Sequence, residues 1–152
     1  MITLKEIDEN NWLRVAQLET TKEQKQFVAS SVGIMARAYA MRGQNARAYA
    51  IAYEKNIVGV LLVRDLDEEP ACYDLQQFLI DYRYQNKGYG KQALRLIIDQ
   101  LEREHKYDCI EVCVKMKDVA AIHIYQKVGF TDSGYIDPGV PDSYNMVYRF
   151  GI

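Results

Sequence analysis

Gly88 and Gly90 stand where an apolar run gives way to an amphipathic pattern, and this junction constrains the chain more than any other feature. The run Phe78-Leu79-Ile80 reads as the end of a strand. Polar residues follow, and Gln85, Gly88 and Gly90 give the spacing Gln-x-x-Gly-x-Gly. Behind them Ala93, Leu94, Ile97, Ile98 and Leu101 recur at helical spacing, so a helix starts at the glycines. A loop of small residues ending on a helix N-terminus turns several backbone N–H groups toward one point, and the helix dipole adds partial positive charge there. Glycine lets the backbone approach a ligand with no Cβ in the way. A phosphate group suits such a loop. Residues 88–93 also fit the dinucleotide fingerprint G-x-G-x-x-A, with Asp108 about twenty residues on. That fingerprint belongs to the first βα turn of a domain, and here three or four strands come first. Its acid ends the following strand, whereas Asp108 begins it and Lys115 ends it. Taken alone, the loop could also be a glycine-bearing helix start with no ligand.

The elements around this loop alternate between strand and helix periods. Residues 1–7 read as a strand. Asn10 or Asn11 can cap a short helix carrying Trp12, Leu13, Val15, Ala16 and Leu18. A helical stretch over 22–42 has Phe27, Val28, Ile34, Met35, Ala38 and Met41 as its apolar positions, a weak middle at Ser30, Ser31 and Gly33, and an end at Gly43. Residues 46–54 and 57–65 form a hairpin about Lys55-Asn56. The acidic loop of Asp65, Asp67, Glu68 and Glu69 precedes a fourth strand over 71–80, where alternation puts Cys72, Asp74, Gln76, Phe78 and Ile80 on one face. A fifth strand over 107–115 follows the helix, by a right-handed parallel connection. Asp118 can cap a helix that ends at Gly129, and strands over 131–136 and 142–150 flank a turn at Asp137-Pro138-Gly139. The pattern predicts a mixed α/β domain spanning 1–152, with about seven strands and about four helices.

Composition narrows the classes of function. With 49% hydrophobic and 26% charged residues the chain has the balance of a globular domain, and no apolar run reaches membrane-span length. The N-terminus alternates like a strand and lacks a signal-peptide core, which points to the cytoplasm. Nineteen basic residues against 21 acidic ones give a net charge of −2, which argues against a general nucleic-acid binder and is compatible with a cationic substrate. Cys72, Cys109 and Cys113 form no metal-binding spacing with each other or with a histidine, so no metal site is expected and buried free thiols are.

A second motif stands downstream: Asp118-Val119-Ala120-Ala121-Ile122-His123-Ile124-Tyr125-Gln126-Lys127-Val128-Gly129-Phe130. Together with Gln85-x-x-Gly88-x-Gly90, in this order and at this separation, it resembles the acetyl-CoA-dependent GNAT superfamily of N-acetyltransferases, whose order of elements fits the whole chain. The resemblance implies a seven-stranded mixed sheet with splayed central strands. It implies that the acetyl-CoA pyrophosphate sits on Gln85, Asn86, Lys87, Gly88, Tyr89, Gly90 and Lys91. It implies that the pantetheine arm pairs with the backbones of Phe78, Leu79 and Ile80, the Ile80 N–H polarising the thioester carbonyl. Asp118 stands where the family usually has Asn, as a pantetheine contact. Tyr125 takes the general-acid position, where an O–H donor can stabilise or protonate the leaving thiolate. The family draws its base from the fourth strand at either of two positions, here Asp74 and Gln76. Only Asp74 can accept a proton, and Glu111 on the facing strand is the reserve. His105 and His123 read as surface residues.

Gln26-Phe27-Val28-Ala29-Ser30, Phe78-Leu79-Ile80-Asp81 and the Tyr-Gln-Lys-x-Gly-Phe ending are similar to bacterial spermine/spermidine acetyltransferases. The resemblance implies direct acetyl transfer to a primary amine, with a polyamine such as spermidine or spermine as acceptor. Asp74, Glu23, Glu111 and the acidic loop could host its ammonium groups. The alternatives are a protein or peptide amine, an aminoglycoside, or an acyl-CoA-binding module without turnover. Homodimers are common in the superfamily, and the tyrosine-rich last strands (Tyr135, Tyr144, Tyr148) could support such pairing.

Overall fold

The computed structural model describes residues 1–151. Seven strands form one mixed sheet: β1 (Ile2–Glu6), β2 (Arg47–Tyr53), β3 (Asn56–Leu66), β4 (Cys72–Ile80), β5 (Cys109–Lys115), β6 (Thr131–Asp132) and β7 (Ser143–Arg149), in the order β1-β2-β3-β4-β5-β7-β6. Among the described residues only the β4–β5 pair is parallel. Four helices cover the sheet: α1 (Trp12–Ala16), α2 (Ser31–Ala40), α3 (Tyr89–Glu104) and α4 (Val119–Val128).

Each face has its own core. On one face α3 buries Ala93, Leu94, Ile97, Ile98 and Leu101 against Leu61, Tyr73, Leu75, Ile110 and their neighbours. These are the positions that the helical period marks. On the other, Val15 of α1, Leu18 just after it and Ile34 of α2 pack on Ala50, Val60, Leu62 and Leu79. Among the described residues no helix is long and apolar enough to cross a membrane.

Several local expectations change. The 22–42 stretch is a 3-10 turn at Gln24–Gln26, an irregular link, and then α2. The Ser30 hydroxyl accepts from Gly33 N–H at 3.0 Å, and this cap starts a fresh helix where one long helix would have continued. That helix stops at Ala40, before Gly43, and the left-handed residue is Asn45 (φ 55°). Ahead of α1 it is the Asp8 carboxylate that accepts from Asn10 and Asn11 N–H, while the Asn11 side chain bonds backward to Asp8 N–H and Glu6 O. The β2–β3 turn centres on Glu54-Lys55, because Asn56 already pairs with Tyr53. β6 ends after Asp132, whose carboxylate accepts from Gly134 N–H at 2.9 Å in a tight turn with Gly134 at φ 81°. Tyr144 and Tyr148 pack against the first core, and of the last tyrosines Tyr135 is the exposed one.

The departure that matters for the site lies in β4. Leu62 pairs with Gln77 and Val63 with Leu75, so Gln76 is an extra residue with no partner on β3. This β-bulge switches the parity of the strand. Asp74, Gln76 and Gln77 all turn toward the α2 side, bonded to Arg64 Nε, Arg37 and Ala29 N–H respectively. Phe78 and Ile80 pack with the α3-side core. The single face expected for Asp74, Gln76, Phe78 and Ile80 is therefore divided at the bulge.

Candidate active site

β4 and β5 pair at only two positions, Tyr73 with Ile110 and Asp74 with Glu111, and then part. A cavity of about 90 Å³ occupies the gap, lined by Leu75, Gln76, Val112 and Cys113 among others. Beside it opens a cleft of about 400 Å³ between the end of β4, the glycine loop and α4. Phe27, Val28, Phe78, Asp118, Ala121 and Tyr125 line both, so the two spaces adjoin at these side chains.

Backbone geometry along β4 determines which amides face the gap. Asp81 N–H donates to Val58 O at 2.9 Å, which sets the phase of the antiparallel β3–β4 ladder. The pair Gly59–Ile80 is then non-hydrogen-bonded, as is Leu61–Phe78, while Leu79 exchanges its bonds with Val60. The N–H groups of Phe78 and Ile80 point away from β3 toward the gap, and that of Leu79 does not. Leu79 also sends its side chain into the α2-side core. A ligand can therefore pair with Phe78 and Ile80, with Leu79 a spacer between them.

At the cleft's other end Gly88 is the left-handed N-cap of α3, at φ 81°. The first intrahelical bond runs from Gln92 N to Gly88 O, so the N–H groups of Tyr89, Gly90 and Lys91 lie in the unbonded first turn. Asn86 is also left-handed (φ 62°). Gly90 lies over Phe78 and Ile80, where a Cβ would come within 3.6 Å of both side chains. Lys91 and Lys127 line this cleft, giving it cationic character suited to phosphate. His123 is exposed, as expected of a surface residue, and sits at the cleft's rim, while Lys87 lies outside the lining. Tyr89 stacks on Tyr53, ring centroids 4.7 Å apart. The Gln85 side chain turns inward, its amide nitrogen donating to Ile80 O at 2.9 Å and to Gln24 Oε1 at 2.8 Å.

Tyr125 is 6% exposed, and its ring packs between Phe78 and Phe130. Its hydroxyl has no hydrogen-bond partner among the described residues. Burial and the Asp118 carboxylate push its pKa well above the ordinary tyrosine value. Asp118 caps α4 by accepting from Ala121 N–H at 3.3 Å, and burial raises its pKa against that bond. Asp74 is 2.8 Å from Arg64 Nε and lies outside both linings, one residue behind Leu75. Burial raises its pKa, with Arg64 opposing. Glu111, its register partner, is raised by burial and then by the Asp74 charge. Burial and Glu111 push the Cys72 thiol up to about 12. Cys72 and Cys109 are buried free thiols, whereas Cys113 is exposed on the gap side of β5, where partial desolvation raises its pKa. Among the described residues no group of three or more His, Cys, Asp or Glu side chains could hold a metal.

Thr20, Gln24, Phe27 and Val28, from the arm between β1 and β2 and none of them among the expected site residues, all line the cleft. Phe27 and Val28 look like helix positions in sequence, and no local signal marks them as a wall.

A sheet opened between its two parallel strands, beside a glycine loop at a helix start, defines an acyl-CoA-type transferase fold. A model of the acetyltransferase (GNAT) family matches residues 8–130, and the chain belongs to that family. It is an acetyl-CoA-dependent N-acetyltransferase. The spermine/spermidine N(1)-acetyltransferase of Bacillus subtilis (strain 168) is 26% identical over 141 residues, covering 90% of this chain and 91% of that protein. The crystal structure of spermidine N-acetyltransferase from Vibrio cholerae in complex with CoA and spermine superposes with TM-score 0.73 at 16% identity, covering 97% of this chain and 95% of that one. An aminoglycoside acetyltransferase crystallised with coenzyme A superposes with TM-score 0.80 at 16% identity, covering 99% and 95%.

Proposed function

We propose that this chain transfers the acetyl group of acetyl-CoA directly to a primary amine of a polyamine such as spermidine or spermine. The observation that carries the reading is the meeting of cleft and gap at Tyr125, with an unpartnered hydroxyl on one side and the free N–H groups of Phe78 and Ile80 on the other. The loop from Gln85 to Lys91 holds the pyrophosphate. The Ile80 N–H stabilises the negative charge that develops on the thioester oxygen. Asp118 accepts from an amide of the pantetheine arm. Tyr125 donates to the sulfur as it leaves. Asp74, made more basic by burial, takes the ammonium proton through a water, with Glu111 beside it as the second acceptor. Transfer is direct because Cys113, which lines the gap, is held as the thiol and has no histidine partner among the described residues.

The polyamine assignment draws support from the spermine/spermidine relative, which spans nearly the whole chain. It also draws on the carboxylate cluster behind the gap, where the Asp74 and Glu68 charges lie close enough to raise the pKa of Glu111. An aminoglycoside is the second reading, favoured by the superposition on an enzyme of that class. The test is release of free thiol from acetyl-CoA with spermidine, spermine, a lysine peptide and an aminoglycoside as separate acceptors. Saturable turnover with polyamines alone supports the proposal. Turnover with the aminoglycoside or the peptide alone replaces the acceptor. CoA binding without turnover on any of them favours an acyl-CoA-binding module.

A further inference from the structure

Residues 19–29 join α1 to α2 and contain no repeating structure beyond the turn at Gln24–Gln26. A segment without a ladder of its own is positioned by whatever satisfies its polar groups. Within the segment Thr21 and Gln24 bond each other, and the Lys25 and Phe27 N–H groups turn back to Thr21 O and Gln24 O. Its anchors to the rest of the fold come from β4 and the loop after it. Tyr82 N–H donates to Glu19 O at 2.8 Å and Glu19 N–H to Asp81 Oδ2 at 2.9 Å. Ala29 N–H donates to Gln77 Oε1, on the bulge, at 3.0 Å. Between these anchors Gln24 and Gln85 face each other amide to amide, with Nε2–Oε1 distances of 3.0 and 2.8 Å. Phe27 and Val28, carried between Gln24 and Ala29, line both the cleft and the gap.

Gln85 is the joint in this arrangement. Its backbone opens the glycine loop. Its Nε2 spends one proton on Ile80 O and the other on Gln24 Oε1. Ile80 offers its N–H to the gap from the same residue. Anything that draws the glycine loop and the Ile80 peptide into one position therefore also fixes the segment that walls the amine side.

We propose that the Gln24–Gln85 amide pair is a positioning latch that makes amine affinity depend on occupancy of the CoA cleft. The inference rests on the acetyl-transfer reading above. Coupling of this kind is reciprocal, so the amine raises CoA affinity by the same factor.

The test measures binding of the acceptor that supports turnover, by calorimetry, with and without saturating CoA, in the wild type and in Gln24→Ala. CoA itself is used so that no acetyl transfer occurs. The wild type is expected to bind the amine about 5-fold or more tightly with CoA present, within the usual range for coupled sites. In Gln24→Ala the ratio falls to within about twofold of unity, the amine KM rises by roughly 3- to 10-fold for the two amide–amide hydrogen bonds to Gln85 lost at a half-exposed site, the exposed Thr21 N–H that also bonds Gln24 Oε1 turning to water, and kcat changes less than KM. CoA still binds the variant in the amine-free titration and the melting temperature stays within about 2 °C of the wild type, so a ratio taken against the variant's own CoA-free amine affinity reads positioning and not loss of the fold or of the cleft. An active wild type with no coupling, or coupling and amine KM that survive in Gln24→Ala, overturns the latch alone. A wild type that neither binds CoA nor acetylates any amine overturns the functional reading and the latch with it.

Discussion

Replacing Tyr125 with Phe removes one oxygen from the point where cleft and gap meet. The structure sets the size of the effect. The hydroxyl has no protein partner among the described residues, so the substitution breaks no internal hydrogen bond, and the ring keeps its packing against Phe78 and Phe130. The melting temperature should stay within about 2 °C, a shift that corresponds to less than about 1 kcal/mol in a domain of this size. What is lost is a donor to the sulfur as it becomes a thiolate. A hydrogen bond to a charged group is worth about 1.5–3 kcal/mol, and each 1.36 kcal/mol is tenfold in rate, so the acetyl-transfer step should slow by about 10- to 150-fold. Burial and the Asp118 charge hold the hydroxyl pKa above its ordinary value of 10.0. The acid form is the active one and persists below that value. The acid limb of the pH–rate profile therefore belongs to other groups, and Tyr125→Phe should lower the profile without changing its shape below about pH 9. The assay is single-turnover acetyl transfer at saturating acetyl-CoA and amine, since steady-state kcat hides a chemical defect when product release is slow. CoA affinity, measured separately, should change less than threefold. A single-turnover rate within twofold of wild type would remove Tyr125 from the mechanism.

Gly59→Ala perturbs the site from behind. A Cβ there would collide with Leu79 O and sit 2.9 Å from Ile80 Cδ1. The first of these is backbone, in the peptide that joins Leu79 to Ile80, so β4 must shift at the Ile80 N–H proposed to meet the thioester. Overpacking of this kind costs about 1–3 kcal/mol, which lowers the melting temperature by about 2–12 °C, and the KM for acetyl-CoA should rise with it. An unchanged melting temperature and KM would show that the β3–β4 contact has slack. Asp81, fully buried, predicts an acid-sensitive fold. Burial alone would raise its pKa, but the Arg83 guanidinium and the N–H groups of Glu19 and Arg83 outweigh it and hold the carboxyl below its ordinary 3.8. The stability it contributes is complete above that ordinary value and is lost as pH falls through the depressed folded value. Asp81→Asn should therefore flatten the fall of melting temperature between about pH 5 and pH 2, and equal slopes in the two proteins would exclude Asp81 as a cause of acid unfolding.

Much of the architecture was legible because hydrophobic period and cap coincide. The buried face of α3, the Asp118 cap and the Gly129 stop of α4 are each written in a few adjacent residues. The glycine loop could be read for the same reason. What could not be read was set by partners distant in sequence. Two consecutive glutamines carry no apolar parity, so alternation runs straight through Gln76-Gln77 and the bulge leaves no trace. Glu54, with φ 54°, moves the hairpin turn by one residue without a glycine to announce it. Phe27 and Val28 fit a helix well, and Ser30 capping a later start overrode that spacing. Asp74 is a carboxylate at a family position for the base, but its ion pair with Arg64 and its place behind the gap come from the folded sheet.

The bulge also links the sheet's irregularity to its chemistry. An extra residue on β4 bends that strand and increases its local twist, and it falls just beyond the last β4–β5 pair, Asp74 with Glu111. From there the two strands diverge, and Phe78 and Ile80 are left with N–H groups aimed where a neighbouring strand would stand. In a regular sheet β5 would satisfy them, and the surface would be closed. Phe78 and Ile80 are half-buried at an open cleft, so an extended amide-bearing chain can take the place of the missing strand. On this reading affinity for the pantetheine arm comes from backbone positions, which tolerate side-chain change at Phe78 and Ile80. The segment that carries Gln24, Phe27 and Val28 is irregular, held by one backbone bond to Tyr82, the Asp81 carboxylate and the side-chain amides of Gln77 and Gln85. On the same reading it walls the acceptor side, and with no ladder of its own it is free to diverge with the amine.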